Sequence, residues 1–409
     1  MLSHTRFAVL LIGLCGLSSG AEPNADEWTR LTQQARGQTV YFQAWGGDVA
    51  LNAHLQWVAQ QVKTRFAIDL NHIKLADTST AVSRLIAEVD AGNREAGSAD
   101  LLWINGENFA LLKQRQLLFG PWAEQQPNFA LVEADRFPEM RRDFGVPTNG
   151  LESPWTRSQL IFYYDSERIA SPPRSMPALL NWAREHPAEF TYPRPPAFLG
   201  TTFLKQAFIE LAILEFGPET LTAFAAPVDE QFAALTEPLW AFLDALHPHL
   251  LRGGRHFPQT GAQLNAALYD RETSLAFAFN PNEVVSAIAR GDLAPATTSY
   301  VMTAGTLSNV SFVAIPVNAP NKAGAMIVAN YLLSPEAQFR AAVNPRLASQ
   351  PVLPFERFDA EQRAALDAAA RAPGSLPAAE LARTLAEPHP SWTTALEREW
   401  VRRYGGGGR

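Results

Sequence analysis

The sequence is poor in the residues that define several classes of protein. It has a single cysteine, Cys15, which excludes a disulfide scaffold and a cysteine-based zinc site. Lys and Arg number 34 against 41 Asp and Glu, and the formal net charge of −7 argues against nonspecific binding of nucleic acid. Charged residues make up only 18% and apolar residues 47%, a composition typical of a chain that folds around a substantial core.

Motifs for common catalytic and cofactor chemistry are also missing. The sequence contains no glycine-rich dinucleotide signature, no P-loop, no GxSxG elbow and no HExxH helix. His247 and His249 are separated by Pro248, which is incompatible with ligands one helical turn apart. No pair of carboxylates stands out as general acid and base. We therefore predict a protein that is not an enzyme, with no catalytic residue, no cofactor and no metal ligand.

The N-terminus has the order of a secretory signal peptide. Arg6 precedes an apolar run over residues 7–15, and small residues follow from Ser18 to Ala21. No later stretch reaches the ~18 uninterrupted apolar residues of a membrane helix. We predict a cleavable signal peptide over residues 1–21 and export to the periplasm. Two alternatives stay open: a lipoprotein modified at Cys15, and an N-terminal helix that stays in the fold.

Short strands alternate with helices after this segment. In chain order, the predicted strands and helices are residues 39–45, 49–62, 72–75, 77–91, 99–104 and 107–116. This order predicts parallel βαβ units, in which ligands bind at the carboxyl ends of the strands. Two of those ends carry a tryptophan followed by glycine, as Trp45-Gly46-Gly47 and Trp103-Ile104-Asn105-Gly106.

Two later stretches are predicted crossings between domains. The Pro- and Gly-bearing residues 145–150 precede a long strand at 158–164, and residues 301–316 alternate as a strand around a glycine. We take the first as the passage to a second domain and the second as the return. The predicted division is 22–150 for lobe 1, 151–300 for lobe 2, and 301–409 for the return to lobe 1 plus C-terminal helices.

Four segments together resemble a known family. They are Phe42–Gly47, Asp100–Phe109, Glu152–Gln159 and Asn330–Gln338. In these segments the chain is similar to the extracellular solute-binding proteins of ABC importers, and among them to the YnjB-type family. The resemblance implies a type II periplasmic-binding-protein fold, in which two α/β domains are joined by crossing hinge strands. It also implies a small-molecule solute, a membrane permease and a cytoplasmic ATPase as partners. We expect a monomer.

The predicted ligand-binding residues lie at strand ends and helix starts. In lobe 1 they are Trp45, Gly46, Gly47, Trp103, Asn105, Gly106, Glu107 and Asn108, with Trp155 at the first crossing. In lobe 2 they are Thr201 and Thr202, directly before a helix predicted over 203–215, and Asn280 and Asn282, after a predicted strand. We expect the glycines to leave backbone N–H groups open to a ligand. The alternatives are that the indoles fill a core and that the polar residues cap helices.

Aromatic rings with scattered carboxylates favour an organic cation, either thiamine-like or polyamine-like, since a cation over an indole face gains ~0.5–2 kcal/mol. The hydroxyl- and amide-rich helix starts favour instead an anion or a sugar. A metal-containing solute has the least support, because Tyr163 and Tyr164 are adjacent and face opposite sides of a strand. A secreted two-lobed hydrolase is a competing interpretation, and so is an interaction protein that binds no small molecule.

Overall fold

A computed structural model describes residues 25–405, so the predicted signal peptide and Cys15 lie outside the described residues. The strands form a seven-stranded sheet, a three-stranded sheet and a two-stranded hairpin. They are β1 (Thr39–Trp45), β2 (Asp69–Leu75), β3 (Leu101–Ile104), β4 (Arg142–Asp143), β5 (Val146–Pro147), β6 (Glu152–Gln159), β7 (Ile161–Asp165), β8 (Leu275–Ala278), β9 (Thr297–Tyr300), β10 (Thr306–Ala314), β11 (Gln350–Pro351) and β12 (Thr384–Ala386).

Fifteen α-helices surround these sheets in the described part of the chain. They are α1 (Ala25–Ala35), α2 (Val49–Phe66), α3 (Ser79–Asp90), α4 (Gly106–Gln114), α5 (Met176–Glu185), α6 (Phe198–Phe216), α7 (Thr220–Phe224), α8 (Phe232–Leu246), α9 (Gly261–Tyr269), α10 (Glu283–Arg290), α11 (Lys322–Leu332), α12 (Pro335–Val343), α13 (Ala360–Ala369), α14 (Ala378–Leu381) and α15 (Pro390–Tyr404). Within residues 25–405, none of them has the length and apolar character needed to cross a bilayer.

The larger sheet forms the centre of lobe 1. Its strand order is β11-β6-β10-β3-β1-β2, with β12 beside the start of β10. β1 pairs in parallel with β2 and β3, as the βαβ pattern predicts, while β10 runs antiparallel to both β3 and β6. Since the ends of β1 and β3 lie at the same edge, Trp45 and Trp103 come together there.

The three-stranded sheet, in the order β8-β7-β9, forms the centre of lobe 2. Two crossings connect the lobes. β6 ends at Gln159 in the large sheet and β7 begins at Ile161 in the small one, with the Leu160 N–H bonded to the Leu307 carbonyl at 2.8 Å. The return runs from β9 to β10. The predicted crossing strands are therefore present, and the first starts six residues before the predicted 158–164, at Glu152.

The C-terminal helix α15 packs in lobe 2. Its buried residues Trp392, Leu396 and Trp400 belong to the same apolar core as β7, β8 and α6. The return to lobe 1 therefore covers α11, α12 and α13, and the chain then goes back to lobe 2. The domain bounds themselves stay a prediction.

Candidate functional site

Three indole rings form a ladder at the carboxyl edge of the large sheet. The ring centroids of Trp45 and Trp103 lie 6.4 Å apart and those of Trp103 and Trp155 lie 4.6 Å apart, both pairs edge to face. Trp45 is 41% exposed, Trp103 is half-buried, and Trp155 is only 6% exposed. Trp155 also contacts Phe42 in the lobe 1 core. Ring surface for a ligand is thus offered by Trp45 and Trp103, whereas Trp155 supports them from the core.

Gly46 and Gly47, which follow Trp45, both contact other parts of the protein. The Gly46 N–H donates to the Leu75 carbonyl at 3.0 Å, and the Gly46 carbonyl accepts from Asn52 Nδ2 at 2.9 Å. A Cβ at Gly47 would come within 2.4 Å of the Trp45 ring, so the indole packs flat over a residue without a side chain. The expectation that Gly46 leaves its N–H open to a ligand is therefore wrong, because β2 already uses it.

The start of α4 is capped from outside the helix. Asn105 has the extended backbone of an N-cap residue, yet its side chain makes no cap bond. Instead the Gly106 N–H donates to both Asp143 carboxylate oxygens at 2.8 Å. Gly106 has a φ of +60°, and a Cβ there would also meet the Phe144 ring. The Gly106 amide is thus not open to a ligand either, and the capping alternative for Asn105 fails because a carboxylate from the β4–β5 hairpin replaces it.

Carboxylates surround this helix start. Burial raises the pKa of Asp143 well above its usual range, and the negative charges of Glu107 and Glu387 raise it further. The Gly106 N–H and the charge of Lys205 act in the opposite direction. Glu107 itself is exposed in the first turn of α4, as the prediction requires of a cleft residue.

The threonines of lobe 2 lie inside the first turns of α6, not before it. Thr201 Oγ1 donates to Glu397 Oε1 at 2.7 Å, and Thr202 Oγ1 donates to the Phe198 carbonyl of its own helix at 2.8 Å. Both residues are buried. The prediction that their hydroxyls are presented to a ligand is therefore not supported, since α6 begins at Phe198, five residues earlier than predicted, and both hydroxyls have protein acceptors.

The asparagines of lobe 2 contact the protein as well. Asn280 Oδ1 accepts from the Asn282 N–H at 3.1 Å, and Asn282 Nδ2 donates to the Ala348 carbonyl of lobe 1 at 2.7 Å. Arg290 on α10 lies 3.8 Å from the Asp48 carboxylate, again across the lobes. Asn282 therefore joins the two lobes in this structure. For Asn108, no contact decides between its predicted ligand role and the alternative.

Four charged residues near the site were not predicted: Asp143, Lys205, Glu387 and Glu397. Lys205 Nζ lies 2.6 Å from Glu387 Oε2, both side chains are 2% exposed, and the ammonium also lies 4.6 Å from the centroid of the Phe144 ring. One signal was available, because Lys205 interrupts the apolar helix that follows Thr202. The carboxylates stand in no recognisable motif. In the described residues, no three His, Asp, Glu or Cys side chains are grouped to hold a metal ion.

Sequence comparison relates the chain to one family. Residues 57–349 match the family described as bacterial extracellular solute-binding protein. Over 396 residues the chain is 44% identical to Protein YnjB of Escherichia coli (strain K12), an alignment that covers 97% of this chain and 98% of that protein.

Solved periplasmic binding proteins share the fold. AfuA of Actinobacillus pleuropneumoniae, with fructose-6-phosphate bound, has a TM-score of 0.60 at 14% identity and covers 90% of this chain and 99% of its own. Iron-bound HitA of Pseudomonas aeruginosa has a TM-score of 0.60 at 18% identity, with 88% and 99% covered. A putative spermidine/putrescine ABC transporter of Listeria monocytogenes reaches 0.63 at 14% identity, with 89% and 99% covered. The chain therefore has the two-lobed type II fold of these proteins.

Proposed function

The chain belongs to the bacterial extracellular solute-binding proteins, and on that basis we propose that it captures a small solute between its lobes for an ABC importer. Such a protein performs no bond chemistry; it needs only a higher affinity for the solute in the closed form than in the open form. The family and the solved relatives named above are binding proteins, so they lend no support to the hydrolase alternative.

We propose further that the chain is exported by its signal peptide and acts in the periplasm as a monomer. A membrane permease receives the solute, and a cytoplasmic ATPase drives transport. The family supports the permease as a partner, whereas the ATPase is implied by the resemblance alone and export by the order of residues at the N-terminus.

The proposed solute is an organic cation of the thiamine or polyamine class. One observation carries this proposal: carboxyl groups of the protein already contact the starts of α4 and α6, the two helix starts of the predicted site. Asp143 binds the first N–H of α4, and Glu397 binds Thr201 in the first turn of α6. An anionic solute would have to displace these groups and meet the exposed Glu107 beside them.

The indoles supply the second half of the proposed site. Trp45 and Trp103 offer ring surface at the carboxyl edge of the large sheet, and an indole face attracts a cation by ~0.5–2 kcal/mol. The solved relatives bind solutes as different as fructose-6-phosphate and iron, so the fold selects no solute and the side chains must. A sugar is the second candidate, because the Asn105 side chain makes no cap bond and can pair with hydroxyl groups.

A thermal-shift screen followed by calorimetric titration tests this function. The probes are thiamine and spermidine as cations, glucose as a neutral solute and inorganic phosphate as an anion. A cation at a hundred times its Kd stabilises the folded protein by about 2.7 kcal/mol, which raises the melting temperature by several degrees. We expect this shift with one of the two cations. A shift with phosphate or glucose alone contradicts the proposed solute class.

A further inference from the structure

The C-terminal part of the described chain enters the site as a third element. β12 pairs with β10 next to the crossing between the lobes, from Thr306↔Thr384 to Ser308↔Ala386. The helix α15 is anchored in lobe 2 by Trp392 and Trp400, and it also packs against α4 of lobe 1. Residues 384–404 therefore reach both lobes where Asn105 and Glu107 lie.

This segment brings two carboxylates to the site. Glu387 follows β12 and pairs with Lys205, and Glu397 on α15 accepts from Thr201. Burial raises the pKa of both carboxyl groups, and the negative charge of Glu107 raises both further. The carboxylates of lobe 1 and of the C-terminal segment are thus close enough to repel each other. Lys205 acts in the opposite direction, since its positive charge lowers the pKa of Glu387, Glu397 and Asp143.

Beside Glu387 lie buried polar atoms that have no hydrogen-bond partner among the described residues. They are Glu387 Oε1 and both the oxygen and the nitrogen of the Asn309 amide. Asn309 follows Ser308 in β10, just as Glu387 follows Ala386 in the paired β12 segment. The Asn309 amide lies against the Glu387 carboxyl group and lowers its pKa, although the two groups do not meet the geometry of a hydrogen bond. Buried polar groups are nearly always paired, since leaving one unpaired costs ~1–3 kcal/mol. Asn309 and Glu387 are thus neighbouring groups whose oxygens, Asn309 Oδ1 and Glu387 Oε1, both lack a well-formed hydrogen bond.

We propose that Asn309, Glu387 and Glu397 form the subsite for the positively charged, N–H-bearing group of the solute, so that the C-terminal segment completes the binding site. This inference rests on the proposed function. An ammonium or amidinium group brings several N–H donors, which match the open oxygens of Asn309 and Glu387. Its charge offsets the repulsion among the carboxylates.

The subsite also couples the solute to closure of the lobes. Glu107 belongs to lobe 1, whereas Glu397 is carried by a helix anchored in the lobe 2 core. Closing the lobes brings these like charges together, which is unfavourable until a cation lies between them. A cation therefore binds the closed form better than the open form, and this difference in affinity drives closure.

The test measures binding of thiamine, spermidine, glucose and phosphate by calorimetry, in wild-type protein and in variants of the C-terminal segment. Glu397→Gln keeps the hydrogen bond to Thr201 but removes the charge, and we expect it to weaken cation binding by roughly tenfold to a hundredfold. Glu399→Gln on the same helix is the matched control, because Glu399 pairs with Arg402 and Arg403 on α15 itself; the affinity of this variant should stay within about twofold of wild type.

Glu387 needs a second variant, because Glu387→Gln alone leaves the buried Lys205 without its charge partner. The double variant Lys205→Met/Glu387→Gln removes both charges together, and melting curves establish that it folds. We expect it to weaken cation binding by roughly tenfold.

Two results overturn the subsite, and they can be told apart. If the wild type binds a cation and Glu397→Gln and the double variant bind it equally well, the subsite is wrong and the proposed function stands. If the wild type binds phosphate or glucose and neither cation, the proposed solute class and the subsite fail together.

Discussion

At the scale of single residues, the three tryptophans of the ladder differ in what they contact. Trp155 is held between Phe42 and Trp103 in the lobe 1 core, whereas Trp45 packs over Gly47 and leaves much of its ring exposed. An exposed ring contributes little to folding, because its removal leaves no cavity, while a buried ring contributes both apolar area and packing. Replacing Trp45 should therefore affect ligand binding, whereas replacing Trp155 should affect folding.

We expect Trp45→Ala and Trp103→Ala to weaken binding of the preferred cation by roughly twofold to thirtyfold, which corresponds to the free energy of one cation–π interaction. Trp45→Ala should leave the melting temperature nearly unchanged, and Trp155→Ala should lower the free energy of unfolding by about 3–5 kcal/mol. Calorimetry and urea denaturation measure the two effects.

Trp57→Ala provides the control for this pair of measurements. Trp57 is a partly buried tryptophan on α2 whose ring lies under the Arg340 guanidinium at 4.6 Å, and it is not part of the ladder. Its loss should not change cation affinity. If instead Trp45→Ala destabilises the fold as much as Trp155→Ala and leaves binding intact, Trp45 is a core residue and the site lies elsewhere.

At the scale of helices, α6 caps its neighbour α5 with a buried carboxylate. The Met176 N–H in the first turn of α5 donates to Glu210 Oε1 at 2.6 Å, beside the Ser175 hydroxyl that accepts from the Ala178 N–H. Burial raises the pKa of Glu210 from 4.5 to about 7, although the bond from Met176 lowers it. The folded protein thus holds a proton that the unfolded chain releases near pH 4.5.

This difference makes stability depend on pH in a defined direction. Between pH 4.5 and pH 7 the folded state binds more protons than the unfolded state, so Glu210 lowers stability progressively as the pH rises. We expect Glu210→Gln, which keeps an acceptor for Met176, to be stabilised relative to wild type at pH 8 by up to ~3 kcal/mol and far less at pH 5. Urea denaturation at both values measures this.

Glu215→Gln on the exposed side of α6 serves as the comparison, and its effect on the free energy of unfolding should be small at both pH values. A gain for Glu210→Gln of the same size at pH 5 and pH 8 would show that ionisation of Glu210 is not its cause.

Helix starts with a capping side chain could be predicted closely from the sequence, and the start of α6 could not. Asp48 accepts from the Leu51 N–H at the start of α2, and Ser334 before Pro335 accepts from the Ala337 N–H at the start of α12, as their sequence patterns predict. In contrast, α6 starts after Ala197 with no side-chain cap, and its predicted start was five residues late. A capping side chain thus marks a helix start in the sequence, and α6 lacks that mark.

The charged residues of the candidate site could be predicted even less well from the sequence. The strand ends with Trp45 and Trp103 follow from the βαβ pattern, because parallel strands end at one edge. Asp143, Glu387 and Glu397 reach the site through tertiary contacts with residues far away in the sequence, such as Gly106, Lys205 and Thr201. No spacing along the chain encodes such contacts, so these three carboxyl groups could be found only in the folded structure.

At the scale of the whole molecule, a small set of polar contacts holds the lobes together. Asn282 Nδ2 donates to the Ala348 carbonyl at 2.7 Å, and Arg290 lies 3.8 Å from Asp48 and donates to the Arg346 carbonyl at 3.4 Å. These contacts can form only when the lobes are close, so they stabilise the closed form and leave the open form unaffected. The fraction of closed protein then sets the apparent affinity for any solute.

We expect the double variant Asn282→Ala/Arg290→Ala to weaken binding of the preferred solute by roughly fivefold to thirtyfold, since two hydrogen bonds, one of them long, and one partly exposed ion pair together contribute about 1–2 kcal/mol to closure. Its radius of gyration by small-angle X-ray scattering should exceed that of wild type without solute and approach it at saturation. Arg271→Ala is the control, because Arg271 pairs with Glu167 inside lobe 2. If binding weakens while the scattering stays that of wild type, the two residues do not act through closure, and Asn282 and Arg290 contact the solute directly. In that case the loss of affinity should differ between thiamine and spermidine, whereas an effect on closure should be equal for both.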